Sequence, residues 1–160
     1  MHYIFLIFLL MLPIHSFAAE RADRVVVNKS SHTLCLYQGQ RLLASYPVVF
    51  GTNPKGHKQR EGDERTPEGH YSLDYKKANS AYHKAIHISY PNRQDMEDAK
   101  RRGEPPGGAI MIHGQRNGFE WASTLTQQFN WTKGCIALSN KDMDAVWSAV
   151  EVGTSIEINP

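Results

Sequence analysis

The chain has 160 residues, enough for one domain with a sizeable hydrophobic core. Its 18 Lys and Arg residues nearly balance 16 Asp and Glu residues, and a net charge of +2 argues against nucleic acid as a partner. The two cysteines, Cys35 and Cys135, allow at most one disulfide.

The chain begins with an apolar segment typical of a secretory signal peptide. Residues 3–14 carry no charge, and the small residues Ala18 and Ala19 suit a signal-peptidase site. The apolar run is too short to span a bilayer comfortably. Because the first residues lack Lys and Arg, an uncleaved N-terminal anchor is the alternative. We predict a signal peptide over residues 1–19, export of residues 20–160 as one domain, and no later membrane span.

The first half of the exported domain has the pattern of short strands joined by tight turns. Strand-like runs rich in Val, Leu and Tyr cover residues 24–28, 33–37 and 41–50. We interpret Cys35 as a small buried residue of the second run, and we expect two free thiols rather than a disulfide. A long polar loop then covers residues 51–66, a length typical of functional or disordered segments.

The second half predicts further strands and two helices. The strand-like runs are 70–75, 85–90, 109–113 and 154–158. A short surface helix is predicted over 94–102, ended by Gly103. The clearest helix is predicted over 141–150, capped by Asn140 and stopped by Gly153. Its apolar face consists of Met143, Val146, Trp147 and Val150. The pattern predicts a mainly β domain with one or two peripheral helices.

A cysteine and a histidine stand where they could act as a nucleophile and its base. Cys135 opens one apolar run, and His113 ends another. A thiol attacks a carbonyl carbon as a thiolate, so it needs a base, which His113 supplies if the fold joins the two strand ends. The carbonyl of Gly114 could orient the imidazole. On spacing alone, a buried structural pair is an equal alternative.

The residues that precede Cys135 suit the same chemistry. Gly134 permits close backbone approach, so N–H groups near Cys135 could form an oxyanion hole. Lys133 would add positive charge that favours a thiolate. Thr132 completes the tetrapeptide Thr-Lys-Gly-Cys.

These motifs together resemble the L,D-transpeptidase catalytic (YkuD-type) family, in particular its YafK-like Gram-negative branch. The family carries a His-Gly pair and then a Ser/Thr-x-Gly-Cys motif, matched here by residues 113–114 and 132–135. The resemblance extends in the same order over residues 51–58, 62–69, 88–92 and 106–114. It covers nearly the whole exported chain, from about residue 24 to residue 158.

The resemblance implies a YkuD-like β-sandwich or barrel-like catalytic domain over residues 20–160 that acts on peptidoglycan stem peptides in the periplasm. Cys135 would attack the carbonyl of an L-centre, commonly meso-diaminopimelate, that is joined to a D-residue. The D-residue would leave, and an amine of another stem or of an anchored protein would resolve the thioester. His113 would take the thiol proton and return it to the leaving amine. No metal or cofactor is implied.

Two positions depart from the family pattern, and three functions stay open. Lys133 stands where many members carry His, and Ala137 where many carry Arg. The first function is the transpeptidase. The second is a hydrolytic member, either an L,D-carboxypeptidase or endopeptidase, or an amidase that releases a wall-bound lipoprotein. The third is a non-catalytic peptidoglycan-binding domain.

Other candidate groups have weaker patterns. His83 and His87 are four residues apart, which suits a metal on a helix, but their surroundings alternate like a strand, so we expect no metal site. The 21 residues between His113 and Cys135 leave room for a flap. Aromatic side chains in this segment could line a substrate groove or pack in the core; they are Trp121, Phe129 and Trp131.

Overall fold

A computed structural model describes residues 20–160, so the signal peptide predicted over residues 1–19 lies outside the described residues. The strands of this part are β1 (Ala22–Asn28), β2 (Thr33–Gln38), β3 (Arg41–Pro47), β4 (Gly69–Ser80), β5 (His83–Ile88), β6 (Met111–His113), β7 (Ile136–Ala137) and β8 (Val150–Asn159). The helices are α1 (Arg93–Arg102), α2 (Ser123–Thr126) and α3 (Asn140–Ala149), with a 3-10 turn over Glu120–Ala122. Within residues 20–160 no helix has both the length and the apolar character needed to cross a membrane.

These strands form one curled sheet in the order β3-β2-β1-β8-β4-β5-β6-β7. Strands β1, β2 and β3 form the antiparallel meander that the early turns predict. Strand β8 returns from the C-terminal end of the chain and pairs parallel with β1 and antiparallel with β4. Strand β4 pairs with β8 along its first residues and with β5 along the rest, so it joins the two halves of the sheet. The predicted mainly β fold with peripheral helices is confirmed.

The core consists of buried residues from most of the strands and from helix α3. In β2 the alternate residues Leu34 and Leu36 are buried, whereas β1 buries the consecutive residues Val25, Val26 and Val27. Strands β5 to β7 and helix α3 add Ile86, Ile88, Ile112, Ile136, Met143 and Val146. The strands that carry the chemical motifs are therefore anchored in the core.

Cys35 differs from its predicted environment. It is only half-buried, because the alternation that buries Leu34 and Leu36 turns the side chain between them to the other face of β2. Its Sγ lies 3.5 Å from the Oγ of Ser45. Cys35 and Cys135 are both free thiols, as predicted.

The two longer helices match the predicted segments, with one correction at each end of α3. Ser139 caps α3 instead of Asn140, because its side chain accepts a hydrogen bond from the N–H of Asp142 at 3.1 Å. The helix ends at Ala149, since Val150 already belongs to β8. Gly153 lies inside that strand, so the predicted stop at Gly153 is wrong. Helix α1 has the predicted glycine at its end, with Gly103 in the left-handed conformation at φ 71°.

Candidate active site

The parallel pairing of β6 and β7 brings the predicted nucleophile and base to one cavity. Ile112 pairs with Ile136, and His113 pairs with Ala137. The same register puts Cys135 beside Met111, whose backbone N–H lies 3.4 Å from the Cys135 Sγ and donates to it. His113 and Cys135 both line a cavity of about 440 Å³. Within residues 20–160 no hydrogen bond joins these two side chains directly.

His113 is buried and held by the backbone carbonyl that the sequence predicts. Its Nδ1 lies 2.6 Å from the Gly114 oxygen. Because a carbonyl only accepts, Nδ1 carries the hydrogen and Nε2 is left as the basic nitrogen. Burial lowers the pKa of His113 below 6.5, although the Gly114 carbonyl opposes that shift. His113 is therefore a neutral imidazole, with a free base position, at neutral pH.

Gly114 is required by the packing behind His113. A Cβ at Gly114 would lie 2.6 Å from the Oδ1 of Asn140, the first residue of α3. The same Oδ1 accepts a hydrogen bond from the Gln115 N–H at 2.7 Å. Asn140 therefore fixes the segment that follows His113, a role for which no sequence pattern gave a signal.

Cys135 is a protonated thiol at rest. Burial raises its pKa above the ordinary value of 9.0, against the opposing effects of the Met111 N–H and the Lys58 ammonium. The sequence predicts that Lys133 supplies the positive charge that favours a thiolate, but the side chain of Lys133 is exposed. The lysine whose charge acts on the thiol is Lys58, from the loop over residues 51–66. A thiol in this state needs a base before it can attack.

Thr132 and Gly134 shape the turn that presents Cys135. The Thr132 hydroxyl donates to the Cys135 carbonyl at 2.7 Å and accepts from the Gly134 N–H at 3.1 Å. Gly134 has φ 120°, and a Cβ there would lie 2.6 Å from the Arg65 carbonyl oxygen. Gly134 is therefore needed for its conformation and for close approach. Its N–H is already engaged within the turn.

A buried ion pair, which the sequence patterns did not reveal, orders the long loop against this turn. The Lys58 Nζ lies 2.7 Å from the Asp63 Oδ1, and both side chains are less than a tenth exposed. Asp63 also accepts from backbone N–H groups of Gln59, Arg60 and Arg65. Burial alone would raise the pKa of Asp63, but Lys58 and these donors outweigh it and lower that pKa to about 2. The loop thereby brings the Arg65 carbonyl against Gly134.

Aromatic rings form one wall of the cavity. The Tyr82 ring centroid lies 4.7 Å from that of His113, and the Trp131 centroid lies 5.8 Å from it. Of the predicted aromatic groove residues, Trp131 lines the cavity, whereas Trp121 and Phe129 do not. Trp121 is 80% exposed, and Phe129 is 49% exposed. The segment between His113 and Cys135 therefore contributes one aromatic wall residue and a separate exposed apolar surface.

His83 and His87 engage different carboxylates. The Nε2 of His83 lies 2.7 Å from Asp144, and the Nδ1 of His87 lies 2.6 Å from Asp74. Within residues 20–160 no group of three or more His, Cys, Asp or Glu side chains is placed to hold a metal ion.

Comparison with known proteins identifies a consistent set of relatives. The family model of the YkuD L,D-transpeptidase catalytic domain matches residues 22–158. YafK of Escherichia coli K12, whose name assigns it provisionally to the L,D-transpeptidases, is 32% identical over 132 residues, which are 79% of this chain and 46% of YafK. The chain thus spans about half the length of the curated relatives it matches.

Solved structures show the same fold. The helical cell shape determining protein Pgp2 of Campylobacter jejuni superposes with a TM-score of 0.63 at 27% identity, over 84% of this chain and 46% of Pgp2. An L,D-transpeptidase from Mycobacterium smegmatis superposes with a TM-score of 0.58 at 16% identity, over 87% of this chain and 59% of that chain. The latter likeness concerns the fold alone.

Proposed function

The chain belongs to the L,D-transpeptidase (YkuD) catalytic-domain family, and from this premise we propose that it is a peptidoglycan L,D-transpeptidase of the periplasm with Cys135 as its nucleophile. The observation that carries the proposal is the shared cavity, in which a free thiol lies near a buried imidazole with an available basic nitrogen. The name of the Campylobacter jejuni relative, a cell shape determinant, agrees with a cell-wall substrate.

The first half-reaction forms a thioester. His113 Nε2 takes the Cys135 proton as the sulfur attacks the carbonyl carbon of an L-residue joined to a D-residue. The developing oxyanion needs N–H donors; since the Gly134 N–H is held by Thr132, we assign this role to the Cys135 N–H. The tetrahedral intermediate collapses as the C–N bond breaks, and His113 returns its proton to the leaving amine of the D-residue.

The second half-reaction decides the class of enzyme. A neutral amine of a second stem peptide, or of an anchored lipoprotein, attacks the thioester and forms a new amide while the thiolate is released and reprotonated. If water attacks instead, the product is a shortened stem peptide or a released protein, as in the hydrolytic alternative. The same Cys135 and His113 serve both outcomes.

Product analysis separates these functions. The purified protein is incubated with tetrapeptide muropeptides, and the products are identified by mass. We expect dimers with a bond between two diaminopimelate residues. Tripeptide monomers alone would contradict transfer and support the hydrolytic member, and unchanged substrate would support a non-catalytic wall-binding domain.

Two cysteine variants make the assay specific. Cys135→Ala should abolish all products, whereas Cys35→Ala should retain them, because Cys35 lies on β2 and does not line the cavity. Both cysteines are free and half-buried, so Cys35→Ala is a matched control for the loss of a thiol. Activity that survives Cys135→Ala would overturn the proposed mechanism.

A further inference from the structure

One row of paired residues crosses the sheet beneath the cavity. Lys77 of β4 pairs with Ala85 of β5, Ala85 pairs with His113 of β6, and His113 pairs with Ala137 of β7. Residues paired in this way project from the same face of a sheet, so Lys77 stands two strands, about 10 Å, from His113 on the face that carries the base. The small Ala85 between them leaves the space above the sheet open.

A second lysine borders the cavity on the other side of the base. Lys133 lies in the turn before β7, whereas Lys77 lies on β4, and His113 of β6 is between them in the strand order. Both lysines are exposed and line the cavity with His113 and Cys135. Two positive charges therefore already lie at the cavity, so an anion can bind there without a rearrangement of the fold.

The charges of these lysines are uncompensated. Among residues 20–160, Lys77 and Lys133 form no ion pair, whereas Lys29, Lys58 and Lys84 each pair with a carboxylate. The cavity lining contains no Asp or Glu. The apolar part of the lining, which includes Ala85, Met111 and Trp131, suits an aliphatic chain between the reacting carbonyl and a charged end group.

We propose that Lys77 and Lys133 bind a carboxylate of the acyl-donor peptide, so that the cavity selects donors with a free carboxylate over their amidated counterparts. The inference rests on the proposed function, because it concerns the donor of that reaction. Two carboxylates of a tetrapeptide donor have the required chemistry: the one at the end of the diaminopimelate side chain and the one at the C-terminus of the leaving D-residue.

The test uses four synthetic tetrapeptides that differ only in amidation: the free diacid, each monoamide and the diamide. Their dissociation constants are measured by calorimetry on Cys135→Ala protein, and KM and kcat on protein with Cys135 intact. The lysine variants are Lys77→Met, Lys133→Met and the double variant. Lys100→Met is the matched control, because Lys100 is an exposed lysine of α1 outside the cavity lining.

Amidation of the bound carboxylate should weaken binding and raise KM roughly two- to fivefold, the range for exposed charge pairs. The monoamide that shows this loss identifies which carboxylate is bound. The double lysine variant should bind acid and amide equally, whereas Lys100→Met should keep the preference. Raising the ionic strength should shrink the preference, because it rests on exposed charges.

The outcomes separate this inference from the proposed function. Equal binding of all four peptides, or a preference that survives in the double lysine variant, would overturn the role of the lysines while leaving turnover intact. Charge-selective binding without any turnover would contradict the proposed enzyme and retain the carboxylate site. No binding of any peptide would overturn both.

Discussion

Burial holds Cys135 and His113 in their neutral forms. It raises the pKa of the thiol and lowers that of the imidazole, so proton transfer from sulfur to nitrogen is uphill in the free protein. In the proposed mechanism the attack of the sulfur must then coincide with the proton transfer, so that His113 serves as a general base rather than as one half of a resting ion pair. A protonated thiol is also less easily oxidised, since the thiolate is the reactive form.

The neutral pair makes a specific prediction for pH dependence. In a Cys35→Ala background, alkylation of Cys135 by iodoacetamide should be slow at pH 7 and should rise only above about pH 9, because the thiol pKa is raised. The kcat/KM value should fall on acidification only below pH 6.5, where the lowered pKa of His113 places its protonation. Alkylation that is already maximal at pH 7 would contradict the neutral pair.

Gly134 should not tolerate a side chain. Gly134→Ala adds a Cβ 2.6 Å from the Arg65 carbonyl at φ 120°, so we expect destabilisation by about 3 kcal/mol or more and loss of turnover. Gly118→Ala is the control, since Gly118 also has positive φ but has open space around its Cβ position. Urea denaturation should show a loss of about 1 kcal/mol for Gly118→Ala; equal losses for both variants would refute the steric role of Gly134.

At the residue scale, the sequence predicts what is local. The turn before Cys135 and the contact between His113 and Gly114 involve neighbours in the chain, so a short motif specifies them. The sequence does not predict the role of Lys58, because its effect on the Cys135 pKa depends on how the distant loop over residues 51–66 packs near Cys135. Lys133 was the nearer lysine in sequence, yet its side chain is exposed.

Among the elements, the loop over residues 51–66 shows how a segment without helix or strand becomes ordered. Asp63 is its centre, because one carboxylate satisfies Lys58 and three backbone N–H groups. A carboxylate with several such donors is stabilised in its charged form. The loop then packs against the turn that carries Cys135, so its order bears on the proposed activity as well as on stability.

Asp63→Asn should therefore destabilise the protein in a pH-dependent way. The pKa of Asp63 is lowered from 3.8 to about 2, so its contribution is complete above about pH 4 and is lost as the pH falls to about 2. Urea denaturation at pH 7 should show a loss of about 2 kcal/mol that shrinks towards pH 2. Glu61→Gln, in the same loop and without a side-chain partner among the described residues, should change little. A loss for Asp63→Asn that is constant with pH would contradict the ionic origin.

Helices α1 and α3 were predictable because caps and apolar periodicity are local signals. The error in the predicted cap of α3 is also local, because Ser139 and Asn140 are both good capping residues. Only the fold shows that the side chain of Asn140 accepts a hydrogen bond from the Gln115 N–H instead. Gly153 suggested the end of a helix, but it lies in β8, where the register with β1 shifts. A glycine in the sequence therefore does not by itself distinguish the end of a helix from an irregularity within a strand.

On the scale of the whole molecule, the order of strands in the sheet could not be predicted from the sequence. The run over residues 154–158 predicts a closing strand, but not that β8 inserts between β1 and β4 and joins the two halves of the sheet. That insertion depends on contacts between residues far apart in the chain. The same long-range order places Lys77 in one row with His113, which explains why no motif indicated Lys77.

The curled sheet supplies a rigid frame for the site, since β6 and β7 are short strands anchored by the buried Ile112 and Ile136. The cavity above them is formed by the β4–β5 connection, by β6 and by the turn before β7. Because these parts come from three regions of the chain, the whole fold is needed to assemble the site. The chain spans about half the length of its curated relatives, so the proposed activity is to be measured on this chain itself.

Intact-mass measurement of the acylated protein tests the central claim most directly. The protein is mixed with a stem tetrapeptide, quenched in acid within a turnover, and its mass and peptide map are recorded. We predict a mass increase equal to the tripeptide acyl group, carried as a thioester on Cys135 and present in Cys35→Ala protein. Absence of this adduct while products form, or the same adduct on Cys35 in Cys135→Ala protein, would contradict Cys135 as the nucleophile.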